Sequence, residues 1–336
     1  MRPAGVPGRP GAPSASTAAV DVEPTTAVGK LLELAAGHPR LSALGGAVCI
    51  AFTGILFRYS GVSPSTASVF RCLYALPFLW LVARDERRRL GPLDARWRAV
   101  ALVAGAFFAL DLVAWQHSVL EVGAGLATVL ANLQVVFVAL GAWILLRERP
   151  MPVVLLAIPV MLAGAVLISG VVGAGAYGAD PRLGVAFGLV SAFAYASYLL
   201  LTRQGNPGGA RPAALLLDST FATMVVAAAG GVIVRDLDVV PSWPAHGWLL
   251  LLAVSAQVVG YLLISTSLAR LPAALASVIL LVQPVTTVAL AAVLLAESPS
   301  PFQLLGVALI VVGLLVANLR RGSPTPLPDA EPLAGT

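Results

Sequence analysis

The feature that most constrains this chain is a series of apolar runs that recur from residue 41 to residue 320. Each run has about 20 residues, the length that a helix needs to cross the ~30 Å hydrocarbon core of a bilayer. Lipid offers no partner for backbone polar groups, so such runs fold as helices. We therefore predict an all-α integral membrane protein with ten transmembrane helices, at residues 41–60, 64–84, 97–119, 123–146, 152–172, 182–203, 212–234, 246–268, 272–295 and 301–320.

The composition agrees with a membrane location and sets the two ends of the chain apart. Hydrophobic residues make up 58% of the sequence and charged residues 11%, whereas about 25% of the residues in a soluble domain are charged. Residues 1–40 and 321–336 are rich in proline and small residues, so we predict a disordered cytoplasmic tail at each end. Cys49 and Cys72 fall inside the first two predicted spans, where packing is favoured over a disulfide or a metal site.

The basic residues predict how the chain is oriented in the membrane. With a cytoplasmic N-terminus, seventeen of the 21 basic residues fall on the inner side, and only Arg58, Arg182 and Arg235 fall outside. This asymmetry predicts that both termini are cytoplasmic in a multi-pass protein of the cell membrane. The net charge of +5 does not indicate nucleic-acid binding, because the basic residues are distributed among the loops of one side. Arginine outnumbers lysine by twenty to one, a bias typical of a GC-rich bacterial genome.

An internal repeat divides the predicted helices into two groups of five. Residues 118–168 align without gaps with residues 267–317, at a shift of 149, and sixteen of the 51 pairs are identical. The less common identities include Gln134 with Gln283 and Glu148 with Glu297. We predict two five-helix repeats, residues 41–172 and 182–320, and because five is odd the second repeat enters the membrane from the opposite side. Inverted repeats of this kind are typical of secondary transporters, whose halves rock about a site near the midplane.

Several segments resemble the drug/metabolite transporter superfamily, in its EamA-type branch of ten helices built as five plus five. They are "FR" at 70–71, "ALDLVAW" at 109–115, "LANLQVVFVALGAWILLRERP" at 130–150 and "LVQPVTTVALAAVLLAESPSPFQLLGVALIVVGLLV" at 281–316. The resemblance covers about residues 41–320. The fourth span has Val135 where the family often has a proline, so the resemblance does not predict a kink there.

The resemblance implies a secondary transporter that works by alternating access. Proteins of this kind mostly export small metabolites, so amino acids, related amphipathic compounds and drugs are the expected cargo. The expected partners are a small-molecule substrate and the lipid bilayer, not nucleic acid, and the oligomeric state stays open. A channel or a non-transporting membrane scaffold is the alternative class. An enzyme is disfavoured because the sequence has no HExxH or GxGD motif, and a pump would need an ATP-binding loop that this chain lacks.

Two charged residues lie deep inside predicted spans. Asp111 lies about 12 Å from the external end of the third span and Arg71 about 10 Å from that of the second, at 1.5 Å per residue. An unpaired charge at such depth costs at least ~2.5 kcal/mol on insertion scales. The matched depths predict a structural Arg71–Asp111 ion pair. The alternative is functional: Asp111 carries a proton, or Arg71 holds a substrate carboxylate.

Other polar residues in the spans predict a central cavity. Asp111, Trp115 and Ser118 share one face of their helix, and Asn132 follows Thr128 by one turn. Aromatic rings with polar tips suit a cavity for amphipathic solutes. The substrate-binding candidates are therefore Trp115, Asn132, Tyr195, Gln257 and Tyr261. Gln134 points away from Asn132 and is expected to bond a neighbouring helix, whereas Tyr198, near the cytoplasmic end, is expected in the interfacial belt.

The remaining charged residues receive structural or secondary roles. Asp218 is a second intramembrane acid, either paired with Arg211 or Arg203 or involved in coupling. Glu148 and Glu297 recur at span ends, where helix capping or loop anchoring is expected. His117 lies near the external end of its span, and no residue accompanies it at a metal-binding spacing. The sequence thus predicts no metal and no cofactor, with proton coupling open.

Overall fold

The computed structural model describes residues 37–147, 149–205, 211–268, 271 and 273–319, and all regular secondary structure within them is helical. The helices are α1 (Pro39–Ala51), α2 (Thr53–Ser60), α3 (Pro64–Leu90), α4 (Ala95–Val122), α5 (Ala124–Ala131), α6 (Gln134–Leu146), α7 (Pro152–Ile168), α8 (Pro181–Gly205), α9 (Pro212–Val234), α10 (Trp243–Leu252), a π-helical segment (Ala253–Gly260), α11 (Tyr261–Leu268), α12 (Ala273–Leu294) and α13 (Pro301–Leu319). The predicted all-α class is confirmed. Of the predicted tails at residues 1–40 and 321–336, residues 1–36 and 321–336 lie outside the described residues, and so does the expected cap Glu148. Pro39 and Arg40, which were predicted to belong to the first tail, lie in α1.

The described helices include seven that are long and apolar enough to cross a membrane, by length and composition. Three shorter apolar helices accompany them, at Pro152–Ile168, Ile279–Leu294 and Pro301–Ala317. Many large apolar side chains on the outside of the bundle, such as Ile144, Ile233 and Val293, are exposed. A soluble protein rarely exposes so much apolar surface, and a surface that faces lipid requires it.

Three of the membrane helices are irregular partway along their length. α1 and α2 meet at Phe52, α5 and α6 meet at Asn132 and Leu133, and the π-helical segment separates α10 from α11. Pro284, in contrast, lies inside the continuous helix α12. At the first interruption the carbonyl of Ala51 accepts a hydrogen bond from Thr287 Oγ1 of α12 at 3.1 Å. A neighbouring side chain therefore satisfies a backbone group near the interruption, as breaks inside membranes require.

The packing of α7 against α13 repeats itself at a shift of 149 residues. A Cβ added at Gly164 would lie 2.8 Å from the side chain of Ile310, and one added at Gly313 would meet the side chain of Met161. Adding 149 to 164 gives 313, and subtracting it from 310 gives 161. The two contacts are thus equivalent in the two repeats, and both depend on a glycine that lets the helices approach closely.

The antiparallel pair α3 and α9 is joined at both ends by a carboxylate that caps the other helix. Glu86, near the end of α3, accepts hydrogen bonds from the N–H groups of Ala213 and Ala214 at 2.9 and 3.0 Å. Asp236, just after α9, accepts one from the N–H of Ser65 at 3.4 Å. Because helix N-termini carry unpaired N–H groups and a partial positive charge, each acid stabilises the start of the partner helix.

Candidate functional site

A buried polar cluster lies where α3, α4, α8, α9 and the π-helical segment meet. Arg71 of α3 is 2% exposed, and its Nε donates to Oε1 of Gln257 at 3.0 Å. Gln257 lies in the π-helical segment, and its Nε2 donates to Thr220 Oγ1 of α9 at 3.3 Å. The carboxamide of Gln257 therefore fixes the guanidinium from one side and is itself held by a third helix.

Asp111 of α4 belongs to the same cluster but has a different partner. Ser191 of α8 donates its hydroxyl to Asp111 Oδ1 at 2.6 Å, and Asp111 is 7% exposed. The predicted ion pair with Arg71 is not among the salt bridges of the described residues. The two groups still interact electrostatically. The predicted pair was wrong in its geometry because Gln257 and Ser191 each take the place that the opposite charge was expected to fill.

Both charged side chains keep polar atoms available. Within the described part of the chain, no hydrogen bond or ion pair is recorded for Arg71 Nη1 and Nη2 or for Asp111 Oδ2. None of these atoms is among the fully enclosed polar atoms without a partner. These atoms are therefore not completely enclosed by the surrounding helices.

Aromatic rings line one side of this cluster. Phe108 of α4 stacks on Tyr198 with ring centroids 4.7 Å apart, and it lies 6.1 Å from Tyr195 and 5.9 Å from Tyr261. Tyr198 is only 6% exposed, so its expected place in the interfacial belt was wrong. Sequence reasoning also missed Phe108, although its position three residues before Asp111 places both on one helix face.

Trp115 and Asn132 occupy a neighbouring region rather than the polar cluster itself. Trp115 is one turn beyond Asp111 and packs with the apolar core that includes Leu56 and Ala124. Asn132 follows α5 directly, and its Nδ2 donates to the carbonyl of Thr128 at 2.8 Å. Among the described residues, no recorded hydrogen bond or ring contact joins either side chain to the charged pair.

Asp218 is paired with a residue that the sequence did not suggest. Arg98 of α4 donates its Nε to Asp218 Oδ2 at 3.2 Å. Arg211, one of the two predicted partners, donates to the backbone carbonyls of Leu90, Gly91 and Pro92. The predicted partners were chosen because they are near in sequence, whereas the observed pair forms because α4 packs on α9.

The other singled-out residues have structural surroundings. His117 stacks on Phe187 with ring centroids 4.8 Å apart. Gln134 was expected to bond a neighbouring helix, but its Oε1 is buried and has no hydrogen-bond partner in the described ranges. In the part of the chain that the structure describes, no group of three or more metal-binding side chains is placed to hold an ion.

Comparison with known proteins assigns this architecture to a family. The EamA-like transporter family matches residues 40–170 and 182–319. The chain belongs to this family. EamA proteins are membrane transporters rather than enzymes, so the chain is a multi-pass membrane protein of the transporter class. Membership of this family implies a small-molecule substrate and contact with membrane lipid.

A solved structure supports the same fold. A chain titled "Crystal structure of protein" is 18% identical to this one with a TM-score of 0.59, and the match covers 85% of this EamA protein and 99% of that chain. None of the curated proteins compared with the chain matches it.

Proposed function

We propose that this EamA protein is a secondary transporter of the bacterial cell membrane that exports small amphipathic metabolites, amino acids or related compounds and drugs, by alternating access. The observation that carries the proposal is that two buried charged side chains, Arg71 and Asp111, lie in one polar cluster without bonding each other. Each charge is held by one neutral partner and, among the described residues, keeps polar atoms for which no hydrogen bond is recorded. Charges at this depth are costly, and in membrane proteins they mark substrate or proton pathways.

The proposed mechanism needs two inverted halves, residues 41–172 and 182–320, in a bundle of ten spans with both termini cytoplasmic. Two pairs of equivalent contacts support the inverted relation. Gly164 meets Ile310 as Gly313 meets Met161. Likewise, the caps at Ser65 and Ala214 lie 149 residues apart. Halves related in this way can rock about a central site and expose it to either side.

The substrate is proposed to bind through an anionic group and an apolar body. Gln257 fixes Arg71 by its Nε, which leaves the two terminal nitrogens as a fork that matches a carboxylate. Tyr195 and Tyr261 offer ring faces to the apolar part. The π-helical turn at Gln257 supports this assignment, because such turns are frequent at functional sites.

Asp111 is proposed to carry the coupling proton, with no cofactor required. One of its oxygens is held by Ser191, and the other, which has no recorded hydrogen bond among the described residues, is proposed to bind a proton or a substrate ammonium. Trp115 and Asn132 are proposed to contact the substrate on its way to the external side. Asp218 is the second candidate for coupling, although its ion pair with Arg98 favours a structural role.

A channel or a non-transporting scaffold is the competing class. Hydrogen bonds between the two repeats cross the external end of the bundle, for example from the hydroxyl of Tyr59 to the carbonyl of Leu294 at 2.9 Å. Contacts that tie the two repeats together at one end favour a carrier over an open pore.

The test begins with a substrate screen. Purified protein is heated in the presence of amino acids, nucleosides and cationic drugs, and the compound that raises the unfolding midpoint most is chosen, because a ligand of the native state stabilises it by mass action. Efflux of that compound from proteoliposomes is then measured with and without an imposed pH gradient. We expect the gradient to accelerate efflux by the parent protein and not efflux by Asp111→Asn.

Asp218→Asn is the matched control, since it also neutralises an acid of the bundle. It is expected to respond to the gradient as the parent does. If Asp111→Asn keeps the gradient response while Asp218→Asn loses it, coupling belongs to Asp218. A solute that crosses without counterflow in the same vesicles would favour the channel class.

A further inference from the structure

The external end of the bundle contains a second buried acid that the transport mechanism above does not use. Glu297 lies in the connection between α12 and α13 and is 6% exposed. Its Oε1 accepts a hydrogen bond from the N–H of Ala124 at 2.6 Å, and its Oε2 accepts one from the N–H of Gly125 at 3.1 Å. The acid of the second repeat therefore caps α5, which belongs to the first.

Glycines in the first repeat make room for this carboxylate. A Cβ added at Gly123 would lie 2.8 Å from Glu297 Oε2, and the residue has a φ of +93°, which side chains other than that of glycine rarely allow. A Cβ added at Gly125 would lie 3.0 Å from the Cα of Val288 in α12. The close approach of α5, α12 and Glu297 thus depends on two positions without side chains.

Backbone N–H groups and a nearby guanidinium act against the cost of burying the charge of Glu297. Hydrogen bonds from backbone N–H groups to a carboxylate are strong, and the start of a helix carries a partial positive charge. Arg58 and Tyr177 line an adjacent cavity of about 340 Å³ and interact electrostatically with Glu297. Burial raises the pKa of Glu297, while the N–H groups of Ala124 and Gly125 and the charge of Arg58 oppose that rise.

The position of the contact relates it to the transport cycle. α5 and α12 belong to different repeats, and two halves that rock must separate at their external ends when the cavity opens outward. A carboxylate that bonds both first N–H groups of α5 resists this separation. Glu121, only two residues before Gly123, shows the contrast, because no side-chain hydrogen bond is recorded for it within the described ranges.

We propose that Glu297 is the latch of the external gate: its carboxylate holds the start of α5 against the end of α12 in the closed state, and its release is required for outward opening. The inference rests on the proposed alternating-access transport.

The experiment measures how accessible a buried position on α5 is to a reagent added outside the cell. In a protein with Cys49→Ser and Cys72→Ser, Thr128→Cys places one thiol a turn below the latch, at a side chain that is buried in the closed state. A membrane-impermeant maleimide is added outside intact cells, and the rate of labelling is followed. Glu297→Gln is expected to raise that labelling rate by roughly tenfold or more, because the variant loses a hydrogen bond to a charged group that stabilises the closed state. Glu121→Gln is the control and is expected to leave the rate unchanged.

A second readout reports the opening directly. Spin labels at Leu120 and Ser298, one on each repeat at the external end, are expected to move apart in Glu297→Gln and not in Glu121→Gln. A folded Glu297→Gln protein with parental labelling and parental spin distances overturns the proposal. Equal increases for both variants also overturn it, because the effect would then follow any loss of external charge. Neither readout uses a substrate, so these measurements test the role of Glu297 independently of proton coupling by Asp111.

Discussion

Two buried acids of this protein, Asp111 in the middle of α4 and Glu297 in the connection between α12 and α13, are almost equally enclosed but bonded very differently. Asp111 is 7% exposed and Glu297 is 6% exposed. Glu297 receives two backbone N–H groups, one on each oxygen. Asp111 receives one hydroxyl, and its second oxygen has no recorded bond within the described residues. Burial alone therefore does not distinguish the two acids, whereas the number of hydrogen bonds that each carboxylate receives does.

The largest effect is expected at Arg71, the cationic member of the central cluster. Arg71→Ala is expected to weaken binding of the best compound of the thermal screen by about 100-fold, since two charge-assisted hydrogen bonds to the substrate are lost. Arg71→Lys keeps the positive charge but not the forked pair of donors, so its affinity is expected to lie between those of the parent and Arg71→Ala. Binding is measured by titration calorimetry in detergent.

Arg98→Ala provides the control for this experiment, because it removes a guanidinium that pairs with Asp218 outside the central cluster. It is expected to bind as the parent does. Equal losses in Arg71→Ala and Arg98→Ala would remove the central cluster from substrate recognition.

The second prediction compares the two acids through stability. Glu297→Ala strands two N–H groups at the start of α5 and is expected to destabilise the folded protein by about 2 kcal/mol. Asp111→Asn removes a buried charge whose hydrogen bonds are incomplete, so it is expected to leave stability unchanged or to raise it, at a cost in function. The unfolding midpoints of both variants in detergent are the measurement. A larger loss in Asp111→Asn than in Glu297→Ala would reverse the comparison.

The sequence identified the buried charged residues more successfully than it identified the residues that bond them. Composition and periodicity were sufficient for the all-α class, and position within a span was sufficient to mark Arg71 and Asp111. The partner of Arg71 could not be predicted, because it depends on Gln257 lying in a π-helical segment with no proline inside it. The interruption at Asn132 likewise has no proline to mark it.

Contacts between distant helices account for the other errors. Asp218 bonds Arg98, which is 120 residues away, whereas spacing along the chain favours Arg211. Tyr198 is near a helix end in sequence but is covered by Phe108 of another helix. Local patterns describe one helix at a time, and these contacts are fixed only when the helices pack.

The third prediction tests whether Gln257 positions the guanidinium. Gln257→Leu removes the acceptor for Arg71 Nε and the bond to Thr220, and it is expected to raise the KM for efflux about tenfold, the equivalent of ~1.4 kcal/mol, with little change in kcat. Gln257→Glu keeps the acceptor and is expected to recover part of the loss.

Gln134→Leu is the matched control for the third prediction. It removes a buried carboxamide whose Oε1 has no hydrogen-bond partner among the residues that the structure describes, so it is expected to leave KM unchanged and to stabilise the protein slightly. If both glutamine variants raise KM equally, the effect comes from general repacking and not from the bond to Arg71.

The smallest effect is expected from Ser191, whose hydroxyl holds one oxygen of Asp111. Ser191→Ala leaves the carboxylate in place but removes its only recorded hydrogen bond among the described residues. The net value of such a bond is about 1 kcal/mol, which corresponds to roughly fivefold in an equilibrium. Because the lost bond stabilises the charged form, Asp111 is expected to bind its proton more tightly in the variant.

The measurement is the pH dependence of efflux in proteoliposomes. The midpoint of the profile is expected to shift upward by roughly 0.7 pH units, the fivefold change expressed on a logarithmic scale, while the maximal rate changes little. Ser197→Ala is the matched control, because its hydroxyl on the same helix bonds the carbonyl of Phe193 and not a charged group. A shift in the control, or none in Ser191→Ala, would show that Asp111 does not set the pH profile, and the proton would then have to be sought at another acid.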